Sequence, residues 1–466
     1  MLNTQKKYKN KGGKVIASGG YGCVFNPGLK CEGESKRTKN RITKLMTDKH
    51  ATQEYEEINN IKEKVDSIPN YNDYFLVDDV TLCRPSKLTA TDLEAYTAKC
   101  TALPKNDITK KNINTKLDSI MALNLPNGGI ALDDYIYENG DYLKLYNTHM
   151  ALMKLLKKGI IPLNQRNIYH SDIKDSNILI DHTESSLKAR LIDWGLTVEY
   201  IPGLGNPFPQ NWRNRPLQFN VPFSVIIFTD LFYREYTEYL RNGGAIDEAS
   251  LKPFVIDYIH NWLKERGAGH YKFINEIIFK LYSRDLHSIP EEKKPEVVET
   301  EITMPCIIGY IIDILVHYTK FKDDGSLNLR EYLDNVYIHK VDIWGFISAY
   351  YPFLEMFSNN YATLDSKQLK IFKQLQFIFY EFIFKPRHEP YNIANLIQQF
   401  KALGNLIHIV IYNKRKTTSS ASSQDLARGI KTRKNIKNKI NKKSLSIFKR
   451  KPLKKHFKNP FLLSLK

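Results

Sequence analysis

Short runs of β-branched and aromatic residues, broken by Gly, Asn and Pro, fill residues 12–46 and predict a meandering sheet. The period then changes. Ile58, Ile61 and Val65 recur at spacings of three and four, which predicts a helix over 50–65. Residues 71–118 are mixed and polar and carry few strong signals. An apolar run from Ile120 to Leu125 predicts a strand ending in the turn Pro126-Asn127-Gly128-Gly129, after which Asp133 and Asp134 open another helix. A further amphipathic helix is expected over 142–157, with Leu145, Leu152 and Leu156 on one face. From about 225 to 410 the pattern is largely helical, with aromatic-rich apolar stripes that read as core. Glu291 to Lys294, flanked by Pro290 and Pro295, reads as an exposed loop. There is no internal repeat. A sheet-rich start and a helical remainder predict an α+β protein of two lobes.

Composition narrows the classes. Of 466 residues, 42% are hydrophobic, enough for a large core and against global disorder. The longest apolar stretch, Cys306 to Leu315, is too short to span a bilayer and contains Asp313, so no transmembrane segment is expected. Met1 to Lys14 is lysine-rich without an apolar core, unlike a secretory signal. Cys23, Cys31, Cys83, Cys100 and Cys306 are odd in number and form no C-x-x-C pair. Neither a disulfide framework nor a zinc site is therefore expected, and a reducing, cytoplasmic setting is the default. Charge is uneven: residues 411–466 hold 18 Lys and Arg against the single acid Asp425, which is +17 of the net +19. The body is close to neutral. This basic tail follows a polar linker, Thr417 to Ser423, and four readings stay open for it: nucleic-acid binding, attachment to an anionic membrane surface, nuclear import, or a disordered solvated extension.

The densest chemistry lies at 168–195. His170, Asp172, Lys174 and Asn177 stand in the spacing H-x-D-x-K-x-x-N. Phosphoryl transfer needs in-line placement and charge neutralisation more than covalent work. An aspartate beside an acceptor hydroxyl orients it and takes its proton, the role expected of Asp172. Lys174 can neutralise charge on the transferring phosphate, and Asn177 offers Mg²⁺ a neutral oxygen. Further on, Asp193-Trp194-Gly195 supplies the anionic oxygen that Mg²⁺ prefers, so Asn177 and Asp193 are the expected metal ligands. Upstream, Ala17-Ser18-Gly19-Gly20-Tyr21-Gly22-Cys23-Val24 reads as a Gly-rich phosphate loop with Ala17 at its first glycine position. Gly19, Gly20 and Gly22 let backbone N–H groups approach phosphates, Tyr21 can fold over them, and Val24 would sit against adenine. Lys44 is expected on the third strand. Glu54 lies on the apolar face of the first helix, where an acid needs a partner, and Lys44 is the natural one. Glu57 faces similarly and competes for that role.

In this order the elements resemble the eukaryotic-like serine/threonine protein kinases. Within that group, Arg215-Pro216-Leu217-Gln218-Phe219-Asn220-Val221-Pro222-Phe223-Ser224 is similar to the substitute for the A-P-E segment in divergent kinases of large nucleocytoplasmic DNA viruses. The resemblance implies a bilobal protein-kinase-like domain over 12–410, with a small β-rich N-lobe (about 12–125) and a large, mostly helical C-lobe (about 126–410). It implies ATP and Mg²⁺ as cofactors, a protein hydroxyl as acceptor, and a host cytoplasm or virion as the location. Met121 to Asn127 would be the hinge, Asp342-Ile343-Trp344-Gly345 the helix that anchors the catalytic loop, and Arg387 would mark the final subdomain. Three departures stand out. Ser171 replaces the arginine that reads a phosphorylated activation loop, so activity is expected not to need that phosphorylation. Phe223 replaces the A-P-E glutamate, which removes the usual ion pair to Arg387. Residues of about 225–335 are read as a helical insertion. Two other functions remain in play. One is a small-molecule phosphotransferase of the aminoglycoside-phosphotransferase-like class, which shares H-x-D-x-x-x-x-N and I-D-W-G. The other is a pseudokinase scaffold.

Overall fold

The computed structural model describes residues 13–138, 141–182, 186–203, 207–322 and 325–428, with side chains to 412. The chain is mixed α+β, with an antiparallel sheet at its start and helices through most of the rest. The sheet contains β1 (Lys14–Ser18), β2 (Gly22–Asn26), β3 (Arg41–Thr47), β4 (Thr81–Cys83) and β5 (Ile120–Pro126), in the order β1-β2-β3-β5-β4. Register sets which side chains share a face. Ala17 pairs with Val24, Val24 with Lys44, and Lys44 with Leu123, so these four form one row across the sheet. Cys23, Leu45 and Ala122 form the next row, on the opposite face. Helix α1 (Asp48–Val65) covers the first face, burying Ala51, Ile58, Ile61 and Val65 in one core with Met46 and Leu123.

The opposite face is covered by the stretch that looked featureless in sequence. Leu88, Leu93, Tyr96, Leu103, Ile108 and Ile113 are buried against Val15, Phe25, Leu45 and Ala122 as a separate apolar cluster. Most of this cover is short 3₁₀ turns, so no period of two or 3.6 betrays it. It is cross-linked as well as packed. Cys23 is bonded to Cys100 and Cys31 to Cys83, with Cα separations of 5.3 and 5.7 Å, leaving Cys306 free among the cysteines. The expectation of no disulfides is thereby corrected. The partners are 77 and 52 residues apart: Cys100 reaches Cys23 only because the cover folds onto the sheet, and Cys83 reaches Cys31 only because β4 joins the sheet edge, neither of which spacing can reveal. Two bridges also weigh against the reducing-compartment default.

Most of Met121–Asn127 is strand: β5 runs to Pro126, so the chain leaves the sheet only at Asn127–Gly129. A three-stranded sheet follows, built from β6 (Ile130–Ala131), β8 (Ile178–Asp181) and β9 (Lys188–Leu191), while β7 (Ile168–Tyr169) pairs with β10 (Val198–Glu199). Helices Leu132–Glu138 and Tyr142–Leu155 form where the pattern predicts them. Residues 225–335 are mainly helical, with one small hairpin, Lys320–Phe321 against Leu327–Asn328. Their aromatic stripes are core: Tyr258, Trp262, Tyr310 and Tyr332 are all at most 1% exposed. Lys294 departs from the expected exposed loop. It is buried at the start of a short helix and pairs with Glu291.

The final helix, Ile393–Arg428, buries Leu396, Phe400, Leu403 and Ile407 and then runs on through the residues read as a linker. No Gly or Pro interrupts 405–428, so the helical backbone continues without a breaker. Residues 429–466, the bulk of the basic tail, lie outside the described residues. No described helix is long and apolar enough to cross a membrane.

Candidate active site

The β1–β2 hairpin turns tightly, with Gly19 N donating to Gly22 O at 2.9 Å. Gly22 is required by packing, because a Cβ there would lie 2.3 Å from Met46 Cγ and 2.9 Å from Leu45 O. A Cβ at Gly19 would instead rest in ordinary contact with Lys44 Cε and Gly22 O, each at 3.9 Å, while one at Gly20 would meet nothing. Tyr21 is 62% exposed at the tip and stacks on His50 with ring centroids 4.3 Å apart. From outside, the cover grips this hairpin. Thr101 N and Ala102 N both donate to Ser18 Oγ at 3.1 Å, beside the Cys23–Cys100 bond.

Below the hairpin, Lys44 Nζ donates to both oxygens of Glu54 at 2.7 and 2.5 Å. Glu57 accepts from Gln53 and faces Gly195 instead, so Glu54 is the partner of Lys44. Burial raises the Glu54 pKa, and the charge and hydrogen bond of Lys44 pull it back without cancelling the rise. Asp193 is among the charges that act on Glu54, which places the Asp193-Trp194-Gly195 turn close to the Lys44–Glu54 pair.

The loop between β7 and β8 is built around Asp172, which is 6% exposed. Its Oδ2 accepts from Lys174 Nζ at 2.7 Å and from Asn177 Nδ2 at 3.0 Å, and its Oδ1 accepts from Asn220 Nδ2 at 2.9 Å. Burial by itself would raise the Asp172 pKa. Lys174, Asn220 and His170 more than reverse this, and the carboxyl stays below the ordinary range. Asn177 Nδ2 also donates to the Asp172 carbonyl at 2.9 Å. With both amide hydrogens committed to Asp172, Oδ1 is the atom Asn177 has for a cation. Ile192 N donates to Asn177 O at 3.1 Å, so the residue before Asp193 is tied directly to this loop. Asp193 is exposed and adopts φ +68°, while Trp194 turns inward between Phe75 and His170. Ile192 thus links Asp193 to Asn177, and Glu54 links it to Lys44; an amide oxygen, a carboxylate and an ammonium are a donor set suited to Mg²⁺ and phosphate.

The loop is held from behind by the helix Ile338–Ser348. Fully buried Asp342 accepts from His170 N and Ser171 N, each at 2.8 Å. Burial pushes its pKa up, and His170 and these two N–H groups act against the rise. Gly345 permits the close approach, since a Cβ there would lie 2.6 Å from Ile173 O. The same helix holds the Arg215–Ser224 segment through Trp344 Nε1, which donates to Phe219 O at 2.7 Å. Phe223 packs among Tyr310, Trp344 and Phe384, and Arg387 pairs with Glu381.

Three contributors escaped the sequence reading. Asn220 steadies Asp172 from 48 positions away. Trp212 Nε1 donates to Ser171 Oγ at 2.8 Å, and buried Arg215 donates to Ser171 O at 2.9 Å. Position 171 thus has an arginine beside it after all, delivered from the later segment. No spacing rule links these residues to the loop; an Asn inside an otherwise apolar run, Phe219 to Phe223, was the one available hint. No protein-family model matches the chain.

Proposed function

We propose that the chain is an ATP- and Mg²⁺-dependent protein serine/threonine kinase on a bilobal protein-kinase-like fold. The observation that carries the reading is the Asp172 carboxylate, held below its ordinary pKa by Lys174 and Asn220 on a loop that also fixes Asn177. A carboxylate kept ionised and aimed by three donors suits a base that orients a hydroxyl and accepts its proton. When bound, Mg²⁺-ATP supplies an activated phosphoryl group whose charge the metal screens. Asn177 Oδ1 and the Asp193 carboxylate are the groups that would hold the metal. Lys44, steadied by Glu54, presents an ammonium beneath the glycine turn to a phosphate. Lys174, already on Asp172, can shift to the transferring group. The Arg215–Ser224 segment, bonded to Asp172 through Asn220, supports a protein acceptor by its likeness to the A-P-E substitute of divergent protein kinases.

The test is incubation with labelled ATP and Mg²⁺, with and without generic protein substrates, beside Asp172→Ala. Protein labelling that falls at least about a hundredfold in the variant is expected, the scale of a lost general base. Turnover only with small-molecule acceptors would replace this reading with a small-molecule phosphotransferase. An absence of turnover under every condition would leave the pseudokinase scaffold.

A further inference from the structure

Away from this site, the segment after Phe384 runs along the helix Met304–Tyr318. Contacts occur about one turn apart: Cys306 Sγ donates to Phe384 O at 2.8 Å, Pro386 lies over Gly309, and His388 meets Asp313. One turn further, His317 joins them. His388 Nδ1 is 3.0 Å from Asp313 Oδ1, and His317 Nδ1 is 3.6 Å from the same oxygen. The two imidazoles stack face to face, with centroids 3.4 Å apart and planes 8° from parallel. Both rings therefore turn the same edge to one carboxylate.

We propose that Asp313, His317 and His388 form a binding site for a divalent transition ion of the zinc type, which fastens the segment after Phe384 to the helix Met304–Tyr318. One donor from each residue lies within 4.8 Å of the other two. Two ligands of a tetrahedral ion at about 2.1 Å stand about 3.4 Å apart, and the measured 3.0 and 3.6 Å bracket that spacing. Two imidazoles and one carboxylate select zinc-like ions over Mg²⁺, which prefers six oxygens. The fourth position falls to water or to Glu389, which is exposed and next to His388. The nearby cations do not block the site. Arg387 is paired with Glu381, and Lys340 donates to the Arg387 carbonyl. On binding, one ring turns out of the stack so that both in-plane Nδ1 lone pairs converge on the ion, and His317 Nδ1 exchanges its 2.7 Å contact with the Asp313 carbonyl for the ion while its ring proton passes to Nε2.

The test uses full-length protein stripped with chelator and titrated with zinc sulfate, followed by metal analysis after gel filtration and by thermal unfolding. One ion per chain and a rise in Tm of several degrees are expected, with no such rise from magnesium sulfate. His317→Gln and His388→Gln, compared with their own metal-free Tm, are expected to weaken zinc binding at least tenfold and to lose the shift. Equal zinc uptake by the variants would place the metal on other histidines and overturn the proposal. So would variants that lower Tm by the same amount with and without zinc, which would mark a histidine–aspartate contact and nothing more.

Discussion

Asp172 and Asp175 stand three residues apart on one loop, and their surroundings drive their carboxyls in opposite directions. Asp172 is compensated by Lys174, Asn220 and His170 and is held low. Asp175 is raised to about 6, by burial first and then by the charge of Asp133, with only partial relief from the Ser176 N–H and Lys174. A raised carboxyl binds its proton more tightly folded than unfolded. Its contribution to stability is therefore full below about pH 4 and lost as pH rises through 6. Asp175→Asn is expected to raise stability at pH 7.5 by about 1–3 kcal/mol and to leave it nearly unchanged at pH 4, read from thermal unfolding across that range. Legibility at this scale followed distance along the chain. The chemistry of Asp172, Lys174 and Asn177 fits within one loop and one spacing, so sequence alone could propose it. Asn220, Trp212 and Arg215 act on the same loop from 41 to 48 positions away, where only the fold brings them in.

Elements with a strong period were read correctly for the same physical reason that they form. Helix α1 repeats its apolar residues at 3.6, and β5 is a plain apolar run that feeds a glycine turn. The cover over the outer sheet face has neither signal, because it buries isolated side chains from short turns and is pinned by sulfur. The free-thiol count checks this directly. Alkylation of denatured, unreduced protein is expected to label one cysteine per chain, Cys306, and all five after reduction. Reductant is also expected to lower stability by about 2–4 kcal/mol per bridge lost. Five reactive thiols before reduction would contradict the pairing.

For the whole molecule, the α+β outline was legible from the switch in period alone, whereas the ends of its elements were not. The last helix shows why. Ile411 is its last buried residue among the described side chains, and no Gly or Pro stops the backbone from winding on to Arg428. Truncation after Tyr412 therefore removes most of the net charge and none of the described core. The truncated protein is expected to keep its Tm within about 2 °C and the ATP turnover proposed for the full chain, while losing any salt-dependent retention on DNA or on anionic vesicles. A truncation that unfolds the protein would show that the tail packs on the body.

The contacts of Ser171 with Trp212 and Arg215 carry a consequence for control. Many enzymes keep a segment next to the base in place with a removable charge, which makes the segment a switch. Here an indole and a buried guanidinium hold it, and neither is added or taken away by a cell. On the function proposed above, the protein would be ready as soon as it folds. Restraint would then have to come from how much of it is made, when, and where it is kept.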